Sequence, residues 1–353
     1  MTETHNSPTR YNKTRRFCQT FAFNSRTRLD QESARRPPGG QKSLVVPRVR
    51  TLIYYGKGMS ALTDRLDARP YLVFDGAMGT MLQAAGIEPG GAGELWNVEN
   101  AEAVEAIHTA YLEAGANIVT TNTFGGSRPR LDMHGAGDRV HELNKAAAQI
   151  AKKAAAPFEA LVAGDIGPSG ELLEPLGLLT PDEAQAIFEE QITGLVEGGI
   201  DLILIETMSD LEEVGAAVRA SRAVAPELPI VVTLSFDTKL RTMMGVNPAM
   251  AVSEIGAMGV DAVGANCGRG PEEMQTILEQ MVAVRPEGLL LIGQSNAGLP
   301  HLVGDRFEYD AGPSTMAAHA QTLRALGIDI IGGCCGSTPQ HIAAMADALA
   351  STN

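Results

Sequence analysis

Three of the four cysteines in this 353-residue chain fall late: Cys267 ends an apolar run, and Cys334 and Cys335 stand side by side in Gly332-Gly333-Cys334-Cys335-Gly336. Three thiolates converging on one point, with a fourth position open to water or substrate, form the ligand set of a catalytic zinc ion, Zn2+. With three negative charges around a divalent ion, the metal is a poor Lewis acid for activating water. A substrate thiol bound there is still held as thiolate at neutral pH and remains nucleophilic. Thiol alkylation fits this electronic balance better than hydrolysis.

Blander readings stand beside that one. A single cysteine ending an apolar strand is more often a small core residue than a ligand. A vicinal disulfide at Cys334-Cys335 is the redox alternative, and a reducing compartment works against it. An iron-sulfur cluster usually wants four cysteines, and the remaining one, Cys18, lies in a doubtful leader.

Positioning three such residues needs a scaffold that brings distant segments to one rim. From residue 70 onward, short apolar runs alternate with helical patterns. The expected strands are Tyr71-Asp75, Asn117-Phe124, Ala160-Ile166, Asp201-Thr207, Ile230-Phe236, Asp261-Cys267, Leu289-Ser295 and Asp329-Cys334. Helix starts are marked by Thr180-Pro181-Asp182-Glu183, Asn247-Pro248, Gly270-Pro271 and Thr338-Pro339, which put proline at the first helical position, after a side-chain cap acceptor at Thr180, Asn247 and Thr338. Continuous apolar runs such as Leu202-Ile203-Leu204-Ile205 suit a parallel sheet buried on both faces. Eight strand-helix units predict an α/β fold, a single-domain (β/α)8 TIM barrel over 59–353. A doubly wound open sheet is the runner-up, but the turn Asp75-Gly76-Ala77-Met78-Gly79-Thr80 lacks the dinucleotide-binding spacing.

Chemistry in a barrel gathers at the carboxyl ends of its strands. There the sequence puts Asp75, Thr121-Asn122-Thr123-Phe124, Asp165, Glu206, Asn266-Cys267, Gln294-Ser295-Asn296 and Cys334-Cys335. Strands six and eight are separated only by strand seven, so Cys267 and the Cys334-Cys335 pair are expected to meet. Glu206 follows four aliphatic residues, and burying it without a partner is costly. Asp75 has the alternative reading of a turn-forming residue.

Bulk properties narrow the class. The formal net charge of -14 argues against nonspecific nucleic-acid binding. No apolar run is long enough for a membrane span and no secretory signal is evident, which makes the cytoplasm the default location. The charge is uneven: residues 1–58 hold 12 Lys+Arg against 3 Asp+Glu, about +9, and the rest about -23. The segment 1–58 reads as a basic, disordered extension, either a transit peptide or a stretch preceding a native start at Met59.

The motifs together resemble the homocysteine S-methyltransferase family, to which the first module of cobalamin-dependent methionine synthase and betaine-homocysteine methyltransferase belong. The resemblance covers roughly residues 70–350. It rests on Asp75-Gly76-Ala77-Met78-Gly79-Thr80, Thr121-Asn122-Thr123-Phe124, Leu204-Ile205-Glu206-Thr207, Gly264-Ala265-Asn266-Cys267 and Gly332-Gly333-Cys334-Cys335-Gly336-Ser337-Thr338-Pro339. It implies a zinc site at Cys267, Cys334 and Cys335 with homocysteine in the fourth place. It also implies that Asp75 and Glu206 hold the homocysteine ammonium group, with a further polar contact at Thr121, while backbone N–H groups take the carboxylate. The expected reaction is attack by the thiolate of zinc-bound homocysteine on a methyl group, giving methionine.

The donor is the harder question. A quaternary ammonium such as betaine is usually enclosed by aromatic faces, which resemblance to the betaine branch would imply directly after Phe124 and Glu206, where this chain has Gly125 and Thr207. The first expectation is therefore a methylated corrinoid on a separate protein, then betaine or another onium compound, then S-methylmethionine. Trp96 stands either as part of a cage or as an ordinary loop anchor. Asp132-Met133-His134-Gly135-Ala136-Gly137 fits a corrinoid-binding pattern but falls in a loop after the second strand, so it is read as a decoy. The competing class is a non-catalytic thiol- or zinc-binding subunit of a multi-protein methyltransferase.

Overall fold

All eight expected segments form strands in the computed structural model, which describes residues 61–351 apart from 89, 238, 304, 305 and the side chains of 302–307. The basic extension, 1–58, lies outside the described residues. The barrel strands are β1 (Leu72–Val73), β2 (Ile118–Thr120), β3 (Leu161–Ile166), β4 (Leu202–Met208), β5 (Ile230–Leu234), β6 (Ala262–Cys267), β7 (Leu290–Ser295) and β10 (Ile330–Gly333). Neighbours around the sheet are neighbours in this order, and every pairing is parallel. A parallel bridge from Phe74 to Ile118 brings β1 onto β2 and closes the ring.

Helix α1 (Ala61–Ala68) packs against the barrel interior, and the other helices wrap the outside: α2 (Met78–Ala84), α3 (Trp96–Glu99), α4 (Ala101–Glu113), α5 (Arg128–Asp132), α6 (Val140–Ala155), α7 (Pro181–Gly198), α8 (Leu211–Val224), α9 (Pro248–Ala257), α10 (Pro271–Ala283), α11 (Pro313–Leu326) and α12 (Pro339–Ala350). Two of the capping signals operate as read, whereas α10 starts after Gly270 with no side-chain cap. Thr180 and Glu183 form a reciprocal capping box at the start of α7, and Asn247 accepts from Met250 N–H at α9. None of these helices is long and apolar enough to cross a membrane.

Strand residues divide by parity between two cores, as a pleated sheet requires. Leu72, Phe74, Ile118, Leu161, Ala163, Leu202, Leu204, Val231, Ala262, Leu290, Ile292 and Ile330 fill the barrel interior, and Leu62 of α1 joins them. Val73, Val119, Val162, Ile203, Ile205, Val232, Val263, Leu291 and Ile331 pack outward against the helices. Continuing the inward parity toward the carboxyl ends reaches Thr120, Asp165, Glu206, Asn266, Gln294 and Cys334. The alternation that builds the core thus delivers polar groups to the mouth.

Gly264 shows how tightly the ring is closed: an added Cβ would lie 1.8 Å from the carbonyl oxygen of Ile292 on β7. Gly264→Ala is expected to destabilise the fold by about 3 kcal/mol, because backbone rather than a side chain would have to move. A lower urea midpoint at unchanged slope is the measurement.

One element was not expected. Between β7 and α11 the chain makes an antiparallel hairpin, β8 (Pro300–Val303) and β9 (Arg306–Tyr309). Its sequence signal was the pair Gly304-Asp305 between two short runs, a combination favoured at two-residue turns.

Candidate active site

Strand register explains how the three cysteines meet. Ser295 pairs with Cys267 of β6 on one side and with Gly333 of β10 on the other, so Cys334 stands one residue beyond the level of Cys267. The Cys334 N–H donates to the Ser295 carbonyl (2.8 Å), and Ala297 N–H donates to the Cys335 carbonyl (2.9 Å). Parity alone would aim Cys267 outward. Its backbone instead adopts a left-handed conformation, φ 60°, uncommon for a residue with a side chain, and Cys267 faces the mouth.

All three are free thiols. Cys267 Sγ lies 3.0 Å from Cys334 Sγ and 3.9 Å from Cys335 Sγ, and all three sulfurs fall within 4.8 Å of one another. The second spacing is close to the roughly 3.8 Å edge of a tetrahedron with zinc-sulfur bonds of about 2.3 Å. The donor set is soft, half-buried and open on its cavity side, and it fits one thiophilic ion. Hydrogen bonds from Cys267 and Cys334 hold the Cys335 thiol far below its ordinary range. The ring of Tyr309, from the hairpin, lies against Gly336 immediately beyond.

Beside the sulfurs lie the buried acids Asp75 and Asp165 and the half-buried Glu206. Asp75 is 2% exposed and accepts from Thr120 N–H (2.7 Å) and Thr120 Oγ1 (2.9 Å). Burial nevertheless pushes its carboxyl up to about 7. Burial also pushes Glu206 up to about 8, reinforced by the charges of Asp75 and Cys335. Asp165 is raised by burial and by the neighbouring carboxylates of Glu206, Asp75 and Glu94. None of these three carboxyls has a lysine or arginine partner among the described residues. An ammonium group placed among them would relieve both the desolvation and the mutual repulsion.

Asn266 ties the two groups together. Its Nδ2 donates to Thr207 Oγ1 (2.7 Å) and lies 3.4 Å from Glu206 Oε2 and 3.9 Å from Cys334 Sγ. Its Oδ1 accepts from Thr207 N–H (3.1 Å). Thr207 also has a left-handed backbone, φ 60°. Thr121 lies on the same cavity, with its hydroxyl 2.7 Å from Thr123 Oγ1 and accepting from Asp165 N–H (2.9 Å). Asp75, Thr121, Glu206, Cys267, Cys334 and Cys335 all line one cavity of about 380 Å³ at the carboxyl end of the barrel.

The profile of one protein family, homocysteine S-methyltransferase, matches residues 72–349. The chain belongs to this family. Among its relatives are the methionine synthases of Mycobacterium leprae and Mycobacterium tuberculosis, each 34% identical over 82% of this chain. The match covers 25% and 26% of those proteins, so the chain spans about a quarter of their length. Its fold is that of the homocysteine methyltransferase MmuM from Escherichia coli. The metallated form of MmuM superposes with a TM-score of 0.68 at 24% identity, covering 81% of this chain and 99% of that one. The oxidized form gives 0.67 at the same identity, covering 83% and 99%.

Membership in the methyltransferase family sharpens the remaining assignments. Trp96 heads α3, packs half-buried against the core and does not line the cavity, so it serves as the anchor rather than as part of a cage. Asp132–Gly137 runs from the end of α5 toward α6 as a barrel loop, with His134 at the cavity wall. Polar wall residues that the sequence did not single out include Glu94, Thr120 and Arg130, whereas Gln294 stands at the end of β7 where it was expected. Thr120 was accessible through inward parity. Nothing in the local sequence marks Glu94 or Arg130. Gln294 Oε1 and Asp165 Oδ1 are buried without a partner among the described residues, leaving acceptors available at the cavity.

Proposed function

We propose that this chain transfers a methyl group to the sulfur of homocysteine, forming methionine, with zinc held by Cys267, Cys334 and Cys335. The observation that carries the reading is a triad of thiols and a group of cation-deprived buried acids sharing one cavity. Zinc bound at these sulfurs supplies the positive charge that keeps an incoming thiol ionised at neutral pH. The relative MmuM is known in a metallated form, which supports such a site.

The residues do the rest. Asp75 and Glu206 accept hydrogen bonds from the substrate ammonium group, and Thr120 fixes the Asp75 carboxylate in place. The sulfur attacks the methyl carbon in line; the sulfur-carbon bond forms as the donor-methyl bond breaks, and that bond's electron pair leaves with the donor. The thioether product carries no negative charge on sulfur, which favours its release.

The donor proposed is a methylated corrinoid carried on a unit outside the barrel. With Gly125 and Thr207 at their positions, Phe124 is the only aromatic side chain lining the cavity among the described residues, too little to enclose a quaternary ammonium. Betaine or another onium compound is the second reading.

Zinc-loaded protein incubated with homocysteine and methylcobalamin is expected to yield methionine. Methionine from betaine alone would overturn the donor assignment. Homocysteine binding without turnover from any donor, even with a reconstituted partner, would instead favour the non-catalytic subunit.

A further inference from the structure

The wall facing the sulfurs holds a carboxylate where a side chain of residue 125 would otherwise stand. Gly125 follows β2, which lies four strands from β6 in either direction and so directly across the barrel from Cys267. The Gly125 N–H donates to Glu94 Oε1 at 2.7 Å. An added Cβ at Gly125 would lie 2.8 Å from that same oxygen and 3.3 Å from Glu94 Cδ. Gly125 is therefore small because Glu94 fills the space. Glu94 lines the cavity, and its second oxygen has no partner among the described residues.

From this geometry we infer that Glu94 is a specificity-determining residue, selecting a methyl donor that presents N–H groups to the cavity wall. The inference rests on the methyl-transfer reading above and deepens it. With the amino acid anchored beside Asp75 and Glu206, a donor reaching the sulfur from the open side must pass the wall opposite Cys267. A carboxylate fixed there accepts hydrogen bonds, strongly so because it is charged. The primary carboxamides on the edge of a corrinoid supply such N–H groups. So does the ammonium group of a sulfonium amino acid. A quaternary ammonium has none and is better matched by aromatic faces, of which this wall offers Phe124.

Three variants separate the possibilities. Glu94→Gln keeps a neutral acceptor and removes the charge. Glu94→Ala removes both. Gly125→Ala keeps the backbone N–H and displaces the carboxylate, guarding against a general folding effect of the Glu94 changes. Trp96, the single tryptophan of the chain, lies two residues from Glu94 and reports corrinoid binding by fluorescence quenching without any turnover.

The corrinoid dissociation constant is expected to rise about tenfold in Glu94→Ala and Gly125→Ala and about threefold in Glu94→Gln, with homocysteine KM unchanged. A response confined to the KM of S-methylmethionine, lost equally in Glu94→Gln, would assign the N–H groups to an ammonium donor and keep the role of Glu94. Betaine kinetics should not respond. Unchanged donor binding and donor KM in both Glu94→Ala and Gly125→Ala, a homocysteine KM that moves in step with the donor's, or a wild-type protein that binds none of these donors would each overturn the inference. Wild-type corrinoid binding without methionine formation would defeat the methyl-transfer reading alone, and the quenching titration would still decide the role of Glu94.

Discussion

Cys334→Ser is expected to lower zinc affinity by more than about a hundredfold and to reduce methionine formation below detection, since even residues that only orient ligands are worth 10- to 100-fold. Serine is close to cysteine in size, but its hydroxyl does not ionise near neutral pH and is a hard donor where the ion prefers soft ones. Cys334 is the informative position. It sits on the inward parity of β10, 3.0 Å from Cys267, and its N–H is bonded to β7. Its replacement removes a donor atom while leaving the strand pairing intact. Chelator competition gives the affinity, and an unchanged circular dichroism spectrum shows that the fold persists. Full zinc retention and turnover in this variant would remove the thiol triad from the mechanism.

The second large effect concerns the acids and has two opposite signs. Glu206→Gln is expected to raise homocysteine KM about 10- to 100-fold, the range for losing a hydrogen bond to a charged partner. The substrate-free protein should respond the other way. Burial raises Asp75 to about 7 and Glu206 to about 8, so each contributes stability that is fully present below its unfolded value and is lost as pH rises through the folded one. Above pH 8 the free enzyme holds two uncompensated carboxylates together. Removing one should raise its unfolding midpoint at pH 9 while weakening substrate binding, as expected of a residue retained for function rather than for stability.

Wild-type affinity for the product methionine, which has no thiol to titrate, should rise with pH between 6 and 8, by up to about tenfold per unit. The Glu206→Gln variant should show a shallower rise. An increase in KM accompanied by a loss of stability at pH 9 would instead mark Glu206 as a structural residue.

The parts of this site that were legible in sequence are those set by local pattern. Leu202-Ile203-Leu204-Ile205 announces a buried strand, and the Glu206 that follows has no comfortable place except an interior lined with function. The meeting of Cys267 with Cys334 follows from strand order, since one intervening strand carries the register across. What escaped was contact between segments with no shared pattern. Glu94 reaches Gly125 from a stretch before α3, and only the packed structure shows that the glycine and the carboxylate occupy one space. Thr120, next to Thr121, was not singled out although it holds Asp75, because that contact depends on strand register.

Asn266 has a consequence for how such a site changes over generations. One amide spans the ends of β4 and β6, touching Thr207 and lying within 4 Å of both Glu206 and Cys334. The end of β4 at Glu206 and Thr207 and the sulfur cluster therefore share a mechanical brace and are not independent modules. Substitutions at 206 or 207 that retune the substrate shift the brace, and with it the sulfurs, so their effects depend on the residues at 266 and 334. Such coupling leads to strong epistasis among these positions. The opposite wall, at residues 94 and 125, does not touch the brace, and new donor preferences can accumulate there one substitution at a time.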